Sequence, residues 1–405
     1  MCYPPLHMAL FRFVSRPNFL CVRAFSWLLL IFIPFSSNAS VSESRGNIAT
    51  VSASMEDLYF RIKAKKSEPA FDEVFKNLRK VYGFNGVALI TENNHVIYKK
   101  AFGYADLTTH DTLTGGSIFQ LASVSKQFTS FAVMILKEHG LLDYDDPVQR
   151  FYPGFPYPGV TIRHLLTHRA GLPDYRWFCD PLWPDKQEPI SNQEMMRFFE
   201  KYKPSSYFKP GTHHAYSNTG YAVLAAIVEK ISGITFSSFM QQVVFTPLGM
   251  KNTSIYSKCD AADPAGAVSG YERNGGWKPA NDCFNGITGD KNVYSTVEDM
   301  FRWDQALYGE KLLKQSTLKE AFLPANPELK GWRNYGFGWR INQMDPNKQI
   351  VYHSGWWRGF RTFFLRNTSE HSSIIILSNT VNYSLNSLSD LYALIEGKTD
   401  SIQVD

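Results

Sequence analysis

Hydrophobic and polar positions follow two different periods along this chain, and the changes between them mark out its parts. Apolar residues recur at helical spacing in FDEVFKNLRKVY (residues 71–82), which predicts an amphipathic helix. Residues 86–106 carry two strand-like runs on either side of Glu92-Asn93-Asn94, the pattern of a hairpin. Strand-like runs return in YGFGWRIN, QIVYHSG, FRTFFLRN and SSIIILSN, and a last helix is predicted over 385–396.

The middle of the chain, from residue 123 to about residue 322, has a mainly helical pattern. Ser191 with Glu194, and Ser295 with Glu298, each match a capping box. YAVLAAIVEKISG and MFRWDQALYG both end at a glycine suited to a helix C-terminus. We therefore predict an α/β fold in which one antiparallel sheet is built from both chain ends and flanked by helices, with a mainly helical subdomain inserted.

The predicted domain covers 70–397 and leaves a short tail over 398–405. Its α/β part takes about 70–122 and 323–397, and its helical part takes about 123–322. Clefts between two such parts are common sites for small molecules.

The first 39 residues have the order of an export signal. Arg12, Arg16 and Arg23 precede the apolar run FSWLLLIFIPF, and the small residues Ser37-Asn38-Ala39 follow it. The run is shorter than the roughly 20 apolar residues that span a bilayer. We expect a cleaved signal over 1–39, a polar linker over 40–69, and an exported protein, periplasmic or secreted, with no stable membrane span. An uncleaved membrane anchor is the alternative, and Met8 is an alternative start.

Composition narrows the class of protein further. The chain has 405 residues, 44% hydrophobic and 20% charged, which is ordinary for a soluble globular protein. Loss of the signal would remove three arginines from a formal charge of +5, and the remainder has no basic footprint for nucleic acid. Cys179, Cys259 and Cys283 would remain. Cys259 and Cys283 could close a loop, and the absence of any disulfide is an equal alternative.

Candidate chemistry begins in FQLASVSKQFTSFAVMILKEHG (residues 119–140), where two serines precede a lysine at the start of a predicted helix. Ser123 and Lys126 are three apart and share a helix face, whereas Ser125 points elsewhere. A helix N-terminus favours developing negative charge, and a lysine in a dry site can be neutral enough to take a hydroxyl proton. The pattern S-x-x-K is weak by itself, because Ser316-Thr317-Leu318-Lys319 also matches it. There the serine looks like a helix cap and the lysine looks solvated.

Two further motifs make the signal specific. Tyr216-Ser217-Asn218 lies in HHAYSNTGY, and His353-Ser354-Gly355 lies in VYHSGWWRGF. With S-x-x-K, these give Y-x-N and K/H-x-G in the order and spacing of the penicillin-recognising serine hydrolases. The sequence resembles that family over about 71–394, closest to the class C β-lactamase branch with its D,D-peptidase and esterase relatives. The resemblance implies a β-lactamase/transpeptidase-like fold. Lys209-Pro210-Gly211 also fits K-x-G, but a proline cannot donate to a sheet ladder, so we interpret it as a loop.

The resemblance also implies roles for the first two motifs. Ser123 would attack a carbonyl carbon and form an acyl-enzyme, and Lys126 would keep its hydroxyl acidic. Tyr216, with a phenol pKa lowered by the nearby ammonium, would shuttle protons. Asn218 would hold the substrate and Lys126 together.

The third motif is expected on an edge strand beside the nucleophile, with Gly355 allowing close approach and the N–H groups of Ser123 and Trp356 forming an oxyanion hole. Most relatives have lysine where this chain has His353, and histidine titrates near pH 6.5. We hypothesise that the enzyme does not depend on a β-lactam-type carboxylate. Trp356 and Trp357 follow the glycine, where small residues are more usual. They could form a hydrophobic wall for an acyl or aromatic substrate, or they could simply pack against the protein. GDKNVYST (residues 289–296) lacks a glycine pair that is common in the family before the helix that follows. The sequence therefore does not predict the arrangement of this cleft-lining loop.

Rival hydrolase classes fit less well. His164 and His168 have the spacing of a zinc pair but no accompanying glutamate, and G-x-S-x-G is absent. The prediction is a serine hydrolase that acts through an acyl-enzyme on an amide or ester, without metal or cofactor. Its partner would be a small-molecule or peptide substrate: a D-amino-acid peptide, a cell-wall peptide, a small ester or a β-lactam. The non-enzymatic alternative is a cell-wall-peptide or penicillin binder of the same fold, which would need no proton shuttle.

Overall fold

The computed structural model describes residues 68–258, 264–272, 283–328, 334–343 and 347–386, together with residues 388 and 391. The predicted signal and nearly all of the predicted linker lie outside the described residues, as do the tail and most of the predicted C-terminal helix. Cys259 lies outside them as well, so its pairing with Cys283 stays a prediction. Cys179 and Cys283 are both buried.

A seven-stranded antiparallel sheet is built from both ends of the described chain, as the strand patterns predict. Its strand order is β2-β1-β10-β9-β8-β7-β6. The N-terminal hairpin joins the C-terminal strands where Ala88 of β1 lies opposite Ile376 of β10. Asn93 and Asn94 both adopt positive φ in the two-residue turn of the hairpin, where the strand twist favours it. The sheet strands are β1 (Gly86–Glu92), β2 (His95–Phe102), β6 (Asn334–Tyr335), β7 (Arg340–Asn342), β8 (Ile350–Trp357), β9 (Phe360–Asn367) and β10 (Ser372–Ser378).

Helices surround this sheet and fill the middle of the chain. The α-helices are α1 (Glu68–Tyr82), α2 (Lys126–Glu138), α3 (Ile162–Leu166), α4 (Tyr175–Leu182), α5 (Asn192–Tyr202), α6 (Asn218–Ser232), α7 (Phe236–Met240), α8 (Thr246–Leu248), α9 (Val297–Ala306) and α10 (Gln315–Leu318). A π-helical turn (Gln241–Phe245) joins α7 to α8. The 3-10 turns are Ala122–Ser125, Val148–Arg150, Cys283–Gly286, Lys319–Phe322 and Ser384–Asn386.

The two faces of the sheet bury different helices. Phe71 and Phe75 of α1 pack with Ala88 and Ile90 of β1 in one apolar cluster. Successive strand residues point to opposite faces. On the other face, Arg366 of β9 donates through Nε to Asp304 Oδ1 of α9 at 2.6 Å, and both side chains are buried. The helix α1 predicted from apolar spacing is confirmed.

Local signals in the middle of the chain were correct in some places and wrong in others. The capping box at Ser191 is confirmed, and Gly233 ends α6 in the left-handed conformation. The box predicted at Ser295 is wrong by one residue, because Thr296 accepts the N–H of Asp299 and Ser295 belongs to a strand. The helix over MFRWDQALYG ends at Ala306, before the glycine.

A second, three-stranded sheet, formed by two short strands of the mainly helical segment and one strand just before it, was not predicted. Its order is β3-β5-β4, from Phe119–Gln120, Val293–Ser295 and Ser254–Ile255. Two- and three-residue strands carry too few positions to show a period. The sheet places residues 289–293 directly beside the start of α2.

The helices of the described residues are mostly too short or too polar to span a bilayer. No single helix among them is both long enough and apolar enough to cross a membrane, although α6 and the segment Phe236–Leu248, which meet at a bend of 76°, are so in combination.

Candidate active site

Ser123 lies in a constrained turn at the start of α2. Ala122 has φ +49°, a left-handed conformation that costs a residue with a Cβ on the order of 1 kcal/mol. The 3-10 turn Ala122–Ser125 then leads into α2, so Ser123 precedes the α-helix instead of lying within it. Ser123 is half-buried, whereas Ser125 is buried and accepts the N–H of Val293 through Oγ at 3.1 Å. Ser125 therefore has a structural contact and Ser123 faces the cleft.

Lys126 is completely buried and makes three hydrogen bonds through Nζ. It donates to Ser123 Oγ at 3.1 Å and to Asn218 Oδ1 at 2.8 Å. Its third acceptor is the main-chain carbonyl of Asp290 at 2.8 Å. A neutral amine has only two hydrogens and one lone pair. If Asn218 and Asp290 take the two hydrogens, the lone pair is left facing Ser123.

The protonation of Lys126 is close to balanced at neutral pH. Burial lowers its pKa to about 7, and Asp290 opposes that shift, while Arg340 and Arg176 add to it. A substantial fraction of the amine is therefore neutral near pH 7 and able to accept the proton of Ser123.

Tyr216 comes to the same point from the opposite side of the cleft. Its ring centroid is 4.9 Å from Lys126 Nζ. Burial raises the phenol pKa, while the neighbouring Ser123 side chain and the charge of Arg340 act the other way. The expected lowered pKa is thus wrong for the resting site, because loss of water around the phenolate outweighs the cations. Tyr216 is 39% exposed, so we expect a smaller rise than for the fully buried Tyr335.

His168 supports Tyr216 from behind. Its ring lies 4.3 Å from the ring of Tyr216, and its Nδ1 accepts the N–H of Ser217 at 3.1 Å. Burial lowers the pKa of His168 well below its ordinary value, so it packs as a neutral ring. His164 instead caps its own helix, where its Nδ1 accepts the N–H of Thr161 at 3.2 Å. In the part of the chain that is described, no group of three or more His, Cys, Asp or Glu could hold a metal ion.

His353 of the third motif points into the protein interior. Its Nε2 is 2.9 Å from the hydroxyl of Tyr335, and its Nδ1 is 2.7 Å from the carbonyl oxygen of Ser354. Burial lowers the pKa of His353 well below its ordinary value, so the motif provides no cation at neutral pH.

The prediction that the third motif lies on an edge strand is wrong for β8 as a whole, because β8 lies between β9 and β7. Within the described part of the chain, the motif residues themselves have no strand partner on the β7 side. Strand β7 pairs only with residues 350–352 of β8 and stops before His353. A Cβ on Gly355 would lie 2.4 Å from the carbonyl oxygen of Leu121, so only glycine allows β8 to approach the nucleophile turn this closely. The oxyanion hole from the N–H groups of Ser123 and Trp356 stays a prediction that this proximity supports.

The two tryptophans after the motif differ in their surroundings. Trp356 is 61% exposed, and the guanidinium carbon of Arg361 lies 5.7 Å from its ring centroid. Trp357 is half-buried, with Lys291 at 5.1 Å and Arg176 at 5.9 Å from its ring centroid. Trp356 is therefore the one with surface to offer a substrate.

Sequence reasoning missed two contributors to the site. Arg340 of β7 places its guanidinium carbon 5.7 Å from the ring centroid of Tyr216, and among the described residues no carboxylate forms an ion pair with it. Asp290 contributes a main-chain carbonyl, for which no side-chain motif is a signal. Gly338, at φ +82°, fits the β6–β7 turn against the carbonyl oxygen of Lys126, which brings Arg340 to the cleft. Lys209-Pro210-Gly211 lies in a loop and turn, as interpreted.

Comparisons with known proteins agree with this geometry. A family model described as beta-lactamase matches residues 71–396. A penicillin-binding protein of Bacillus subtilis is 36% identical over 321 residues, which cover 76% of this chain and 70% of that protein. A D-aminopeptidase of Cereibacter sphaeroides is 28% identical, and the match spans 73% of this chain and 57% of that protein. The crystal structure of a penicillin-binding protein from Bacillus halodurans superposes with a TM-score of 0.68 at 26% identity, covering 80% of this chain and 98% of that one.

Proposed function

The chain belongs to the beta-lactamase family and is a serine hydrolase that works through an acyl-enzyme, and from that premise we propose that it cleaves short peptides at a bond preceding a C-terminal D-amino acid. Ser123 is the proposed nucleophile, with Lys126, Tyr216 and Asn218 as its partners. The B. subtilis relative is named for penicillin binding and the C. sphaeroides relative for D-amino-acid peptidase activity. The second name supports a substrate with a D-residue, and a further relative in Salmonella heidelberg, 28% identical, is named a putative D-alanyl-D-alanine carboxypeptidase, which supports a C-terminal position for that residue.

Acylation follows from the hydrogen bonds of the resting site. Ser123 Oγ attacks the carbonyl carbon while its proton passes to the lone pair of Lys126. The oxygen that becomes negative is stabilised by the proposed N–H donors of Ser123 and Trp356, each worth roughly 3–4 kcal/mol in such sites. The neutral phenol of Tyr216 then gives its proton to the leaving nitrogen and regains one from the Lys126 ammonium. Water repeats the sequence on the acyl-enzyme and releases the acid.

The proposed choice of substrate depends on the position of Arg340. Its guanidinium stands beside Tyr216, where the leaving group departs in this scheme, and no ion pair with it occurs among the described residues. A guanidinium binds a carboxylate through two parallel hydrogen bonds. The hypothesis that catalysis is independent of a substrate carboxylate relied on His353 alone, and Arg340 weakens that premise.

The test compares R340Q with the wild type on two substrates that differ in one group. We expect kcat/KM for a peptide ending in D-Ala-D-Ala to fall about 10- to 100-fold, the value of one charged hydrogen-bonded contact. The same peptide with a C-terminal amide, and p-nitrophenyl acetate, should lose several-fold less than the acid, because neither carries the carboxylate and both report only the effect of the Arg340 charge on Lys126 and Tyr216. Equal wild-type turnover of acid and amide, or an equal loss on both in R340Q, would show that the carboxylate is not recognised.

We also propose that the activity is exported. The support is the basic, apolar, small-residue order of residues 1–39 and the location of peptides with D-residues in cell walls. An uncleaved anchor stays the alternative.

A further inference from the structure

Residues 289–293 are attached to the nucleophile helix at successive positions. The carbonyl of Gly289 accepts from Thr129 Oγ1 at 2.6 Å, and the carbonyl of Asp290 accepts from Lys126 Nζ at 2.8 Å. The N–H of Val293 donates to Ser125 Oγ at 3.1 Å. Gly289 adopts φ +102° and lies so close to α6 that a Cβ would be 2.6 Å from the carbonyl oxygen of Tyr221. The loop is thus held between α2 and α6 and presents one carbonyl to the catalytic amine.

A buried ion pair lies beneath that carbonyl. Asp290 is 1% exposed and Lys291 is 3% exposed, with Lys291 Nζ 3.3 Å from Asp290 Oδ1. The hydroxyl of Tyr175 closes the triangle: it donates to Asp290 Oδ2 at 2.9 Å and accepts from Lys291 at 2.8 Å. Lys291 also donates to the carbonyls of Phe284 and Ile287. Taking two charges out of water is costly, and the proposed reaction uses neither side chain directly.

We propose that Asp290, Lys291 and Tyr175 form a positioning unit that holds the Asp290 carbonyl on Lys126 and partly offsets the carboxylate charge below it, so that the amine can be neutral and is aimed at Ser123. The inference rests on the proposed role of Lys126 as the proton acceptor. It assigns a use to the buried charges of GDKNVYST.

The argument follows from the charge that Lys126 feels. A carboxylate near an amine favours the ammonium, which cannot accept a proton from Ser123. Lys291 offsets this carboxylate at 3.3 Å, so the amine beside it can lose its proton. Without Lys291 the negative charge of Asp290 would act on Lys126 uncompensated, and without Asp290 the extra positive charge of Lys291 would act instead.

The other groups that face Lys126 are unchanged in either variant. They are Arg340 from β7, Arg176 from α4, His168 after α3, His353 from β8, and the phenols of Tyr216 and Tyr221.

The experiment measures the pH dependence of kcat/KM for p-nitrophenyl acetate, whose acid limb reports the base in the free enzyme. For D290N we expect this limb to move to lower pH by about one unit, because a negative charge near the amine is removed. For K291M we expect a move of about one unit to higher pH. The double variant D290N/K291M should return to within about half a unit of the wild type, and K251M, at an exposed lysine, is the control.

A purely structural role predicts a different result. Folded D290N and K291M whose limbs stay in place, or move in the same direction, would overturn the positioning unit. If circular dichroism shows that D290N or K291M does not fold, Y175F provides the test, because it removes one hydroxyl and no charge. We expect its kcat to fall about tenfold at unchanged KM, and wild-type kcat would overturn the proposal. The ester carries no carboxylate, so a failure of the substrate proposal leaves this result unaffected. If S123A kept the wild-type rate, the proposed function itself would be wrong.

Discussion

The pattern S-x-x-K occurs twice in this chain, and the two copies have different surroundings. In residues 123–126, the lysine is fully buried, has three hydrogen-bond partners at Nζ and faces a half-buried serine. In residues 316–319, both the serine and the lysine are exposed. Ser316 does not cap its helix, as the sequence had suggested, because α10 begins at Gln315 and Lys314 holds the cap position. Lys319 is exposed, as expected.

The comparison shows that the four-residue pattern carries no chemistry by itself. Both copies bring a hydroxyl and an amine within one helical turn. Only the first copy is enclosed by other segments: the start of α6 supplies Asn218, and the loop before β5 supplies the Asp290 carbonyl. Burial lowers the pKa of the first lysine to about 7, and the two fixed acceptors orient its amine towards Ser123.

The largest difference between the copies should appear on removal of the hydroxyl. We expect S123A to lose roughly 10⁵-fold in kcat, because no acyl-enzyme can form without the nucleophile. S316A should keep wild-type kcat. Intact-mass spectrometry with a fluorescent penicillin or a nitrophenyl ester checks this directly. An adduct that persists in S123A and disappears in S316A would reverse the assignment.

Removal of the amine should have the next largest effect. K126M is expected to reduce kcat/KM about 10³-fold, the typical contribution of a general base, while K319M stays within twofold of the wild type. Single-turnover acylation rates separate this loss from a change in binding. Near-normal acylation by folded K126M would mean that another group takes the proton of Ser123.

The smallest expected difference between the two copies is in how each lysine affects the free energy of unfolding as the pH changes. Burial lowers the pKa of Lys126 from 10.5 to about 7. Below pH 7 the amine is charged in both the folded and unfolded states, so its burial costs stability in full. Between pH 7 and 10.5 the unfolded state binds more protons, and the cost disappears as the pH rises.

The free energy of unfolding of the wild type relative to K126M should therefore increase from pH 7 to 9, by up to about 2.5 kcal/mol. Urea titrations at several pH values measure it, with K319M as the matched control. A difference that falls as the pH rises would contradict the lowered pKa.

Much of the fold was visible in the sequence because its core elements have strong periods. Strands such as SSIIILSN carry apolar residues on both faces, since the sheet is covered on both sides, and α1 shows a clear apolar stripe. The short strands β3, β4 and β5 were missed because they have only two or three residues each. The cap at Thr296 was placed at its neighbour because Ser295-Thr296 offers two adjacent hydroxyls, each with an acidic residue three positions on.

The sequence by itself determined the reacting groups: a hydroxyl and an amine one helical turn apart, a tyrosine and asparagine in Y-x-N, and a glycine that lets a strand approach. These are properties of side-chain type and short spacing, which a linear pattern records. The tertiary structure alone decided their charge. The carbonyl that holds Lys126 lies 164 residues away in the chain. The lowered pKa values of Lys126 and His353 come from burial, and the position of Arg340 beside Tyr216 comes from the packing of the β6–β7 turn. Burial and long-range contacts come from the packing of distant segments, so no local pattern could have shown them.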